Sequence, residues 1–317
     1  MALSLALICP SCRGPLEMSA AAEFICPVEG FRFTQSEGIW RFLLPERAAF
    51  YADFLQDYQT IRQAEGRGSH DATYYRALPY QDLSHRMDAD WRIRAASFDA
   101  LLLRVVDPLE KRQPRLRILD IGAGNGWLSN RLAERGHEVW AVDLLTNDFD
   151  GLACARFYPN RFTPLQADFN QLPLPDCSVD LVVFNASLHY SVDTSKTLAE
   201  ALRVLAPGGR IVILDSPVYR NAASGAQMVK EREQAFLERF GLRSNRLPSQ
   251  NYLTYASLVG LGENLGIRWR LLTPFYGLRW LLKPLAAKLR GRREPAKFHL
   301  IIGVRCQRQS DNEHRKN

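Results

Sequence analysis

The stretch Arg117–Leu132, "RILDIGAGNGWLSNRL", sets three glycines within five positions directly behind an apolar run that ends in an aspartate. Leu116–Ile121 reads as a buried strand, and Gly126–Arg135 as a helix that starts from a glycine turn. In doubly wound sheets ligands bind outside the carboxyl ends of the strands, where such a loop lies. The chemistry of this chain therefore turns on what the loop can cradle.

Working outward, strands and helices alternate. Glu138–Val142, Phe162–Gln166, Leu181–Phe184 and Arg210–Leu214 have strand character, and Ser195–Leu205 has helical spacing. This order predicts a parallel, doubly wound α/β sheet with right-handed crossovers. Upstream, Trp91, Ala95, Phe98, Leu102 and Val105 recur at three and four residues, which predicts a helix ended by Asp107-Pro108. Between Glu65 and Asp82, "EGRGSHDATYYRALPYQD" reads as a mobile loop that folds over a site. After Asp215 the regularity fades until Trp269–Leu272 and Phe298–Val304, two closing strands.

The loop is not a phosphate-binding P-loop, which needs Lys and then Ser or Thr after its last glycine; here Trp127 and Leu128 follow Gly126. It also departs from the dinucleotide G-x-G-x-x-G, because the third glycine comes one place early. A G-x-G-x-G loop after "LD", with an acid closing the next strand at Asp143 in "EVWAVDL", resembles the class I S-adenosylmethionine-dependent methyltransferases of type 11.

The resemblance extends over Leu116–Asp215, through "QADFNQLPLPDCSVDLVVFNASLHY" and the Pro-Gly-Gly turn of "LRVLAPGGRIVILD". It implies a Rossmann-like, mostly parallel seven-stranded sheet with helices on both faces. It implies S-adenosylmethionine as cofactor, held by Asp120, Gly122, Ala123, Gly124, Asn125, Gly126, Asp143, Leu144, Asp168, Phe169 and Asn185. In that reading glycine lets the backbone approach the methionyl moiety, Asp120 orders the loop and meets the ammonium, and Asp143 accepts both ribose hydroxyls. Asp168 and Phe169 face the adenine, and Asn185 to Tyr190 lie beside the sulfonium.

Methyl transfer from a sulfonium is an in-line displacement that positioning alone can accelerate, so a base is optional. If one acts, His189 is the candidate catalytic residue. Tyr190, Tyr74, Tyr75 and His85 are candidates for the acceptor pocket. "NASLHY" lacks the Asn/Asp-Pro-Pro-Tyr motif of enzymes that methylate base or glutamine amines, which disfavours that acceptor class.

The first 45 residues form a distinct unit. "CPSC" (Cys9–Cys12) and "ICPVEG" (Ile25–Gly30) resemble a zinc ribbon of the kind that precedes some methyltransferases, among them enzymes acting on a guanine of large-subunit ribosomal RNA. Cys9, Cys12 and Cys26 supply three ligands, with Glu29 where a fourth cysteine would stand, whereas a closed structural zinc site wants four. Structural zinc, a degenerate ribbon packed on Phe24, Phe31, Phe33 and Trp40, and redox-active thiols all remain open. The remainder divides into a helical cap (46–110), a cofactor core (111–215) and acceptor-side insertions (216–317).

Net charge is +7, yet residues 268–317 hold thirteen Lys/Arg against three Asp/Glu, more than the whole-chain excess. Within them "FYGLRWLLKPLAAKLRGRREPAKF", Phe275–Phe298, reads as a helix broken near Pro284 with an apolar face and a cationic one. That suits an anionic membrane surface or a lipid-linked acceptor, and equally a packed helix with a solvated outer face; RNA contact rests on charge alone. Six scattered cysteines make no disulfide framework, and neither a signal peptide nor a long apolar run is evident, which predicts a cytoplasmic protein. Three functions stay in view: methyl transfer to a small-molecule or lipid-linked acceptor, methyl transfer to ribosomal or transfer RNA, and a non-catalytic cofactor-binding scaffold.

Overall fold

The computed structural model describes residues 6–306. A small antiparallel sheet of β1 (Glu17–Met18), β2 (Phe24–Ile25) and β3 (Arg32–Phe33) is followed by β4 (Gln35–Ser36) and β5 (Ile39–Arg41). Helices α1 (Pro45–Ala64), α2 (Ala72–Ala77), α3 (Asp88–Leu101) and α4 (Asp107–Glu110) come next. The core then alternates β6 (Arg117–Ile121), α5 (Trp127–Glu134), β7 (Glu138–Asp143), β8 (Thr163–Gln166), β9 (Val179–Asn185), α6 (Thr194–Val204) and β10 (Leu205–Leu214). Beyond it lie β11 (Pro217–Tyr219), α7 (Ala222–Phe240), β12 (Leu253–Thr254), α8 (Tyr255–Leu265), β13 (Ile267–Leu272), α9 (Leu278–Leu289), β14 (Lys297–Phe298) and β15 (Leu300–Arg305).

The central sheet runs β13-β15-β10-β9-β6-β7-β8-β5-β4. Strands β10, β9, β6, β7, β8 and β5 are mutually parallel, and β15 enters antiparallel to both its neighbours. Parallel strands covered on both faces must be apolar throughout, and in β6 every residue from Ile118 to Ile121 is buried, Asp120 included. The expected doubly wound fold is present, but with nine strands rather than seven. The two extra strands come from the N-terminal unit: Trp40 pairs with Leu165 and Arg41 with Gln166, so β5 extends the sheet beyond β8. That unit also shares its core with the sheet, since Leu7, Phe24, Phe33, Trp40 and Phe42 pack in one apolar cluster with Trp140 and Leu165.

Three local expectations are corrected. Asp107-Pro108 does not end its helix: residues Leu102–Val106 form a π-helical turn, with the Asp107 N–H reaching back to the Leu102 carbonyl, and the chain continues helically to Glu110. A widened turn makes room for the proline ring and uses the N–H preceding it. Likewise α9 runs through Pro284; it has no buried residue, so water can satisfy the carbonyl that proline leaves unpaired.

The segment Glu65–Asp82, expected as a loop, contains α2, whose Asp71 cap accepts from Thr73 N–H at 2.8 Å. Its Tyr75 is fully buried, stacks on Phe157 and bonds the Phe149 carbonyl at 2.6 Å. Gly68 lies so close to that carbonyl that a Cβ would sit 1.9 Å from it. The segment is thus seated over the loop that follows β7.

Candidate active site

A cavity of about 550 Å³ opens at the carboxyl ends of β6, β7, β9 and β10. This size suits a small-molecule site, and the position is the one expected of doubly wound sheets. Gly122, Ala123, Gly124 and Asn125 line one end with Asp143 and Leu144; Asp168, Phe169 and Asn185 line it too. Nine of the eleven residues expected at the cofactor therefore converge. Asp120 and Gly126 do not reach the wall. Gly126 caps α5 in the left-handed conformation, and Asp120 lies behind the loop, fully buried, accepting from Ser129 Oγ at 2.7 Å. In this arrangement Asp120 braces the loop from beneath.

Asp143 accepts from Gly124 N–H and Leu145 N–H, each at 2.8 Å, one on each oxygen. Each oxygen keeps a lone pair for a further donor in the cavity. Burial raises its pKa, and these N–H groups oppose the rise. Asp120 is pushed up to about 7, by burial first and then by the negative charge of Asp143, against the bond from Ser129. The pair is therefore electrostatically coupled beneath the glycine loop.

Asp168 is engaged by partners the sequence did not reveal: Arg47 Nε at 2.5 Å and Tyr51 Oη at 3.3 Å, both from α1. Their i, i+4 spacing puts both on one helix face, which is the signal that could have exposed them. Arg62 from α1 pairs with Asp150 at the same cavity, and Tyr58 and Arg94 join the wall. The Asn185 Oδ1, buried in the wall, has no hydrogen-bond partner among the described residues.

The far end is built by His189, Tyr190, Asp215, Arg232, Trp280 and Lys283. Tyr190 is where the sequence placed it. Tyr74 and Tyr75 instead pack inside the cap, and His85 is exposed on the surface, so these three expected pocket residues lie off the wall. Arg232 and Trp280 were missed because they follow the last recognisable motif, and Asp215 because it closes that motif without a role of its own. Asp215, directly after β10, lies in the left-handed region (φ 50°) and accepts from Ser97 Oγ at 2.5 Å, while its other oxygen has no partner among the described residues.

His189 Nδ1 meets Ser216 Oγ at 3.2 Å. Burial, then the charges of Arg232 and Arg94, push its pKa down to about 3, so the imidazole is neutral at every physiological pH. Between pH 3 and the ordinary value of 6.5 the unfolded chain binds a proton that the folded chain refuses. His189 therefore weakens the fold as pH drops below 6.5, by up to about 1.4 kcal/mol per pH unit, and adds no pH dependence above it. His189→Gln is expected to flatten the fall of the urea midpoint between pH 6 and pH 4; an unaltered slope would rule out the buried neutral ring.

In the N-terminal unit the sulfurs of Cys9, Cys12 and Cys26 lie within 4.8 Å of one another. The Glu29 carboxylate does not join them; its backbone N–H points at Cys26 Sγ from 3.3 Å while the side chain is exposed.

A glycine loop over paired acids, at the switch in strand order of a doubly wound sheet, defines a protein that binds an adenosine-type cofactor. A methyltransferase-domain family model matches residues 119–213. The demethylmenaquinone methyltransferase of Thermus thermophilus is 35% identical over 187 residues, covering 55% of this chain and 78% of that protein. An uncharacterized methyltransferase of Mycobacterium tuberculosis is 41% identical over 95 residues, 30% of this chain and 37% of that protein, so the chain spans little more than a third of that relative. The solved structure of the Burkholderia thailandensis 1,6-didemethyltoxoflavin-N1-methyltransferase aligns over 92% of this chain and 99% of its own at 16% identity and a TM-score of 0.47. The chain belongs to the S-adenosylmethionine-dependent methyltransferases.

Proposed function

We propose that this protein methylates a small amphiphilic acceptor, lipid-linked or presented at a membrane surface. One observation carries the reading: the glycine loop with Asp143 and the residues contributed from 216–298 open on a single cavity. Bound S-adenosylmethionine supplies an electrophilic methyl group. Asp143 would hold the ribose hydroxyls, Asp168 and Phe169 the adenine, and Asn185 with Gly122–Gly124 the methionyl end. The unpartnered Asn185 Oδ1 suits an ammonium donor.

His189 then orients the acceptor. Its conjugate acid is too strong for efficient proton abstraction at neutral pH, because a good general base has a pKa near the working pH. Holding the nucleophile in line is the contribution left to it.

The Thermus relative is named for demethylmenaquinone and a Parasynechococcus relative for dimethylglycine, both small molecules. The surface favours the membrane-associated alternative. On and beside α9, Phe275, Leu278, Leu281, Leu282, Leu285 and Leu289 are each more than half exposed. They are interleaved with Arg279, Lys283, Lys288 and Arg290, and Trp280 and Lys283 of the same helix line the cavity. An exposed leucine face ringed by cations matches an anionic bilayer, where each Lys or Arg adds about 1 kcal/mol. Among the described residues no helix is long and apolar enough to cross a membrane.

The test is transfer of labelled methyl from S-adenosylmethionine to lipid extracts, with binding to phosphatidylglycerol vesicles measured by sedimentation. Leu281→Asp with Leu285→Asp is expected to reduce vesicle binding at least tenfold and spare binding of S-adenosylhomocysteine. Equal binding of wild type and variant would remove the membrane from the reading. The three clustered thiols fit three corners of a zinc site, but no fourth donor joins them among the described residues. We therefore assign the ribbon's cohesion to Phe24, Phe33, Trp40 and Phe42, with ring centroids as close as 4.7 Å.

A further inference from the structure

We propose that the acceptor carries an oxyanion group, a phosphate or phosphate ester, bound by Arg232 and Lys283, with its apolar part against Met228, Leu247 and Trp280. This deepens the methyl-transfer reading above and rests on it. The starting observation is an imbalance of charge. Three arginines of the cavity wall are neutralised: Arg62 by Asp150, Arg67 by Glu65, and Arg293 by Glu231. Among the described residues Arg94, Arg232 and Lys283 have no carboxylate within ion-pair distance, although all three line the cavity.

Arg94 has a compensating charge near it, because Asp215 acts on it through space. Arg232 instead meets its nearest carboxylate, Glu233, only through the Ser244 hydroxyl, and the charge felt by Lys283 is that of another cation, Arg293. The Arg232 guanidinium donates to Ser244 Oγ at 3.0 Å and to Asn251 Oδ1 at 2.6 Å, both neutral acceptors that fix its direction. Ser244 passes its own proton toward Glu233, which leaves that carboxylate one hydroxyl removed. Asn251 in turn donates its N–H to the His189 carbonyl at 3.1 Å, so the arginine is tied to the residue that faces the reacting end.

Lys283 lies over the Trp280 ring at 4.4 Å, and burial together with the charge of Arg293 lowers its pKa. Arg293 links the two cations, since it is paired with Glu231, the neighbour of Arg232 on α7, and its charge reaches Lys283. The half-buried Arg232 has no carboxylate paired directly with it, and a ligand that brings that charge recovers part of its desolvation cost on binding, while Lys283, exposed on α9 at the cavity mouth, adds attraction. A fixed guanidinium with unused N–H groups is suited to a tetrahedral oxyanion. The neighbouring Met228, Leu247 and Trp280 supply the surface for a chain or ring attached to it.

The experiment uses the full chain saturated with S-adenosylhomocysteine and titrates decyl phosphate, decanol and inorganic phosphate by calorimetry. Decyl phosphate is expected to bind at least tenfold more tightly than decanol, and Arg232→Gln and Lys283→Gln are each expected to weaken it about tenfold. Displacement of decyl phosphate by inorganic phosphate would place the group on a soluble phosphorylated acceptor; binding that needs the decyl chain would place it on a lipid headgroup. Lys283→Gln lies on a surface helix and keeps the test valid if Arg232→Gln fails to fold. Equal affinity for decanol, or full affinity in both variants, overturns the proposal. So does a loss of S-adenosylhomocysteine affinity in Arg232→Gln, which would assign the arginine to the cofactor carboxylate. Failure of the wild type to bind S-adenosylhomocysteine would instead strike the methyl-transfer reading itself.

Discussion

Asp143→Ala is expected to weaken S-adenosylhomocysteine binding at least a hundredfold, measured by calorimetry at neutral pH. The carboxylate holds Gly124 and Leu145 by their N–H groups and offers its remaining lone pairs to the cavity. Hydrogen bonds to a charged group contribute about 1.5–3 kcal/mol each, so two ribose contacts account for a hundredfold or more. Truncation also frees the Gly124 N–H, which loosens the loop that must meet the methionyl end. Asp143→Asn keeps one acceptor and the side-chain volume, so it is expected to lose less, about tenfold. Unchanged affinity in the alanine variant would remove Asp143 from the cofactor site, and a preference for NAD over the sulfonium cofactor would change the cofactor altogether.

Gly122→Ala is expected to lower stability by about 2–5 kcal/mol, the sum of a left-handed backbone penalty and overpacking. At φ 76° its added Cβ would lie 2.2 Å from Ser187 Cβ and 2.9 Å from Ser187 Oγ. Neither side yields easily, because Ser187 Oγ donates to the Ile121 carbonyl and so clamps the loop after β9 to the end of β6. The same substitution at Gly124 meets nothing nearer than the Asp150 carbonyl at 3.6 Å. It should therefore cost the empty protein only the backbone penalty, about 1–2 kcal/mol. The check is thermal unfolding of both variants and of Gly122→Ala with Ser187→Gly. If the clash is the cause, the second change restores part of the loss; strictly additive effects would locate it elsewhere.

The parts of the fold written in local periodicity were legible. Strands β6, β7, β9 and β10 and helices α5 and α6 fall within a few residues of where alternation and helical spacing put them. The glycine loop and Asp143 were legible because a backbone constraint and a charge recur at fixed spacing. What escaped notice depends on residues distant in sequence. Nothing near Asp168 announces Arg47, more than a hundred positions earlier, and the wall made by Arg232 and Trp280 comes from segments whose pattern is irregular. Tyr74 and Tyr75 looked like pocket residues by composition, yet both lie on the buried face of α2, which gives them a packing role. The proline in α9 suggested a break that an exposed helix does not need.

The attachment of the ribbon to β8 bears on how the molecule behaves toward its own copies. An open sheet presents unpaired N–H and C=O groups along each border, a template for another strand. On one side the border is β4, only two residues long and reached through β5. On the other it is β13, which carries Arg268 and Arg270. One border is thus too short to template a partner and the other is guarded by charge. A chain cut back to Glu46 would strip β4 and β5 away and turn the backbone of Thr163–Gln166 into a sheet border, so the cysteine unit also closes an edge of the catalytic sheet.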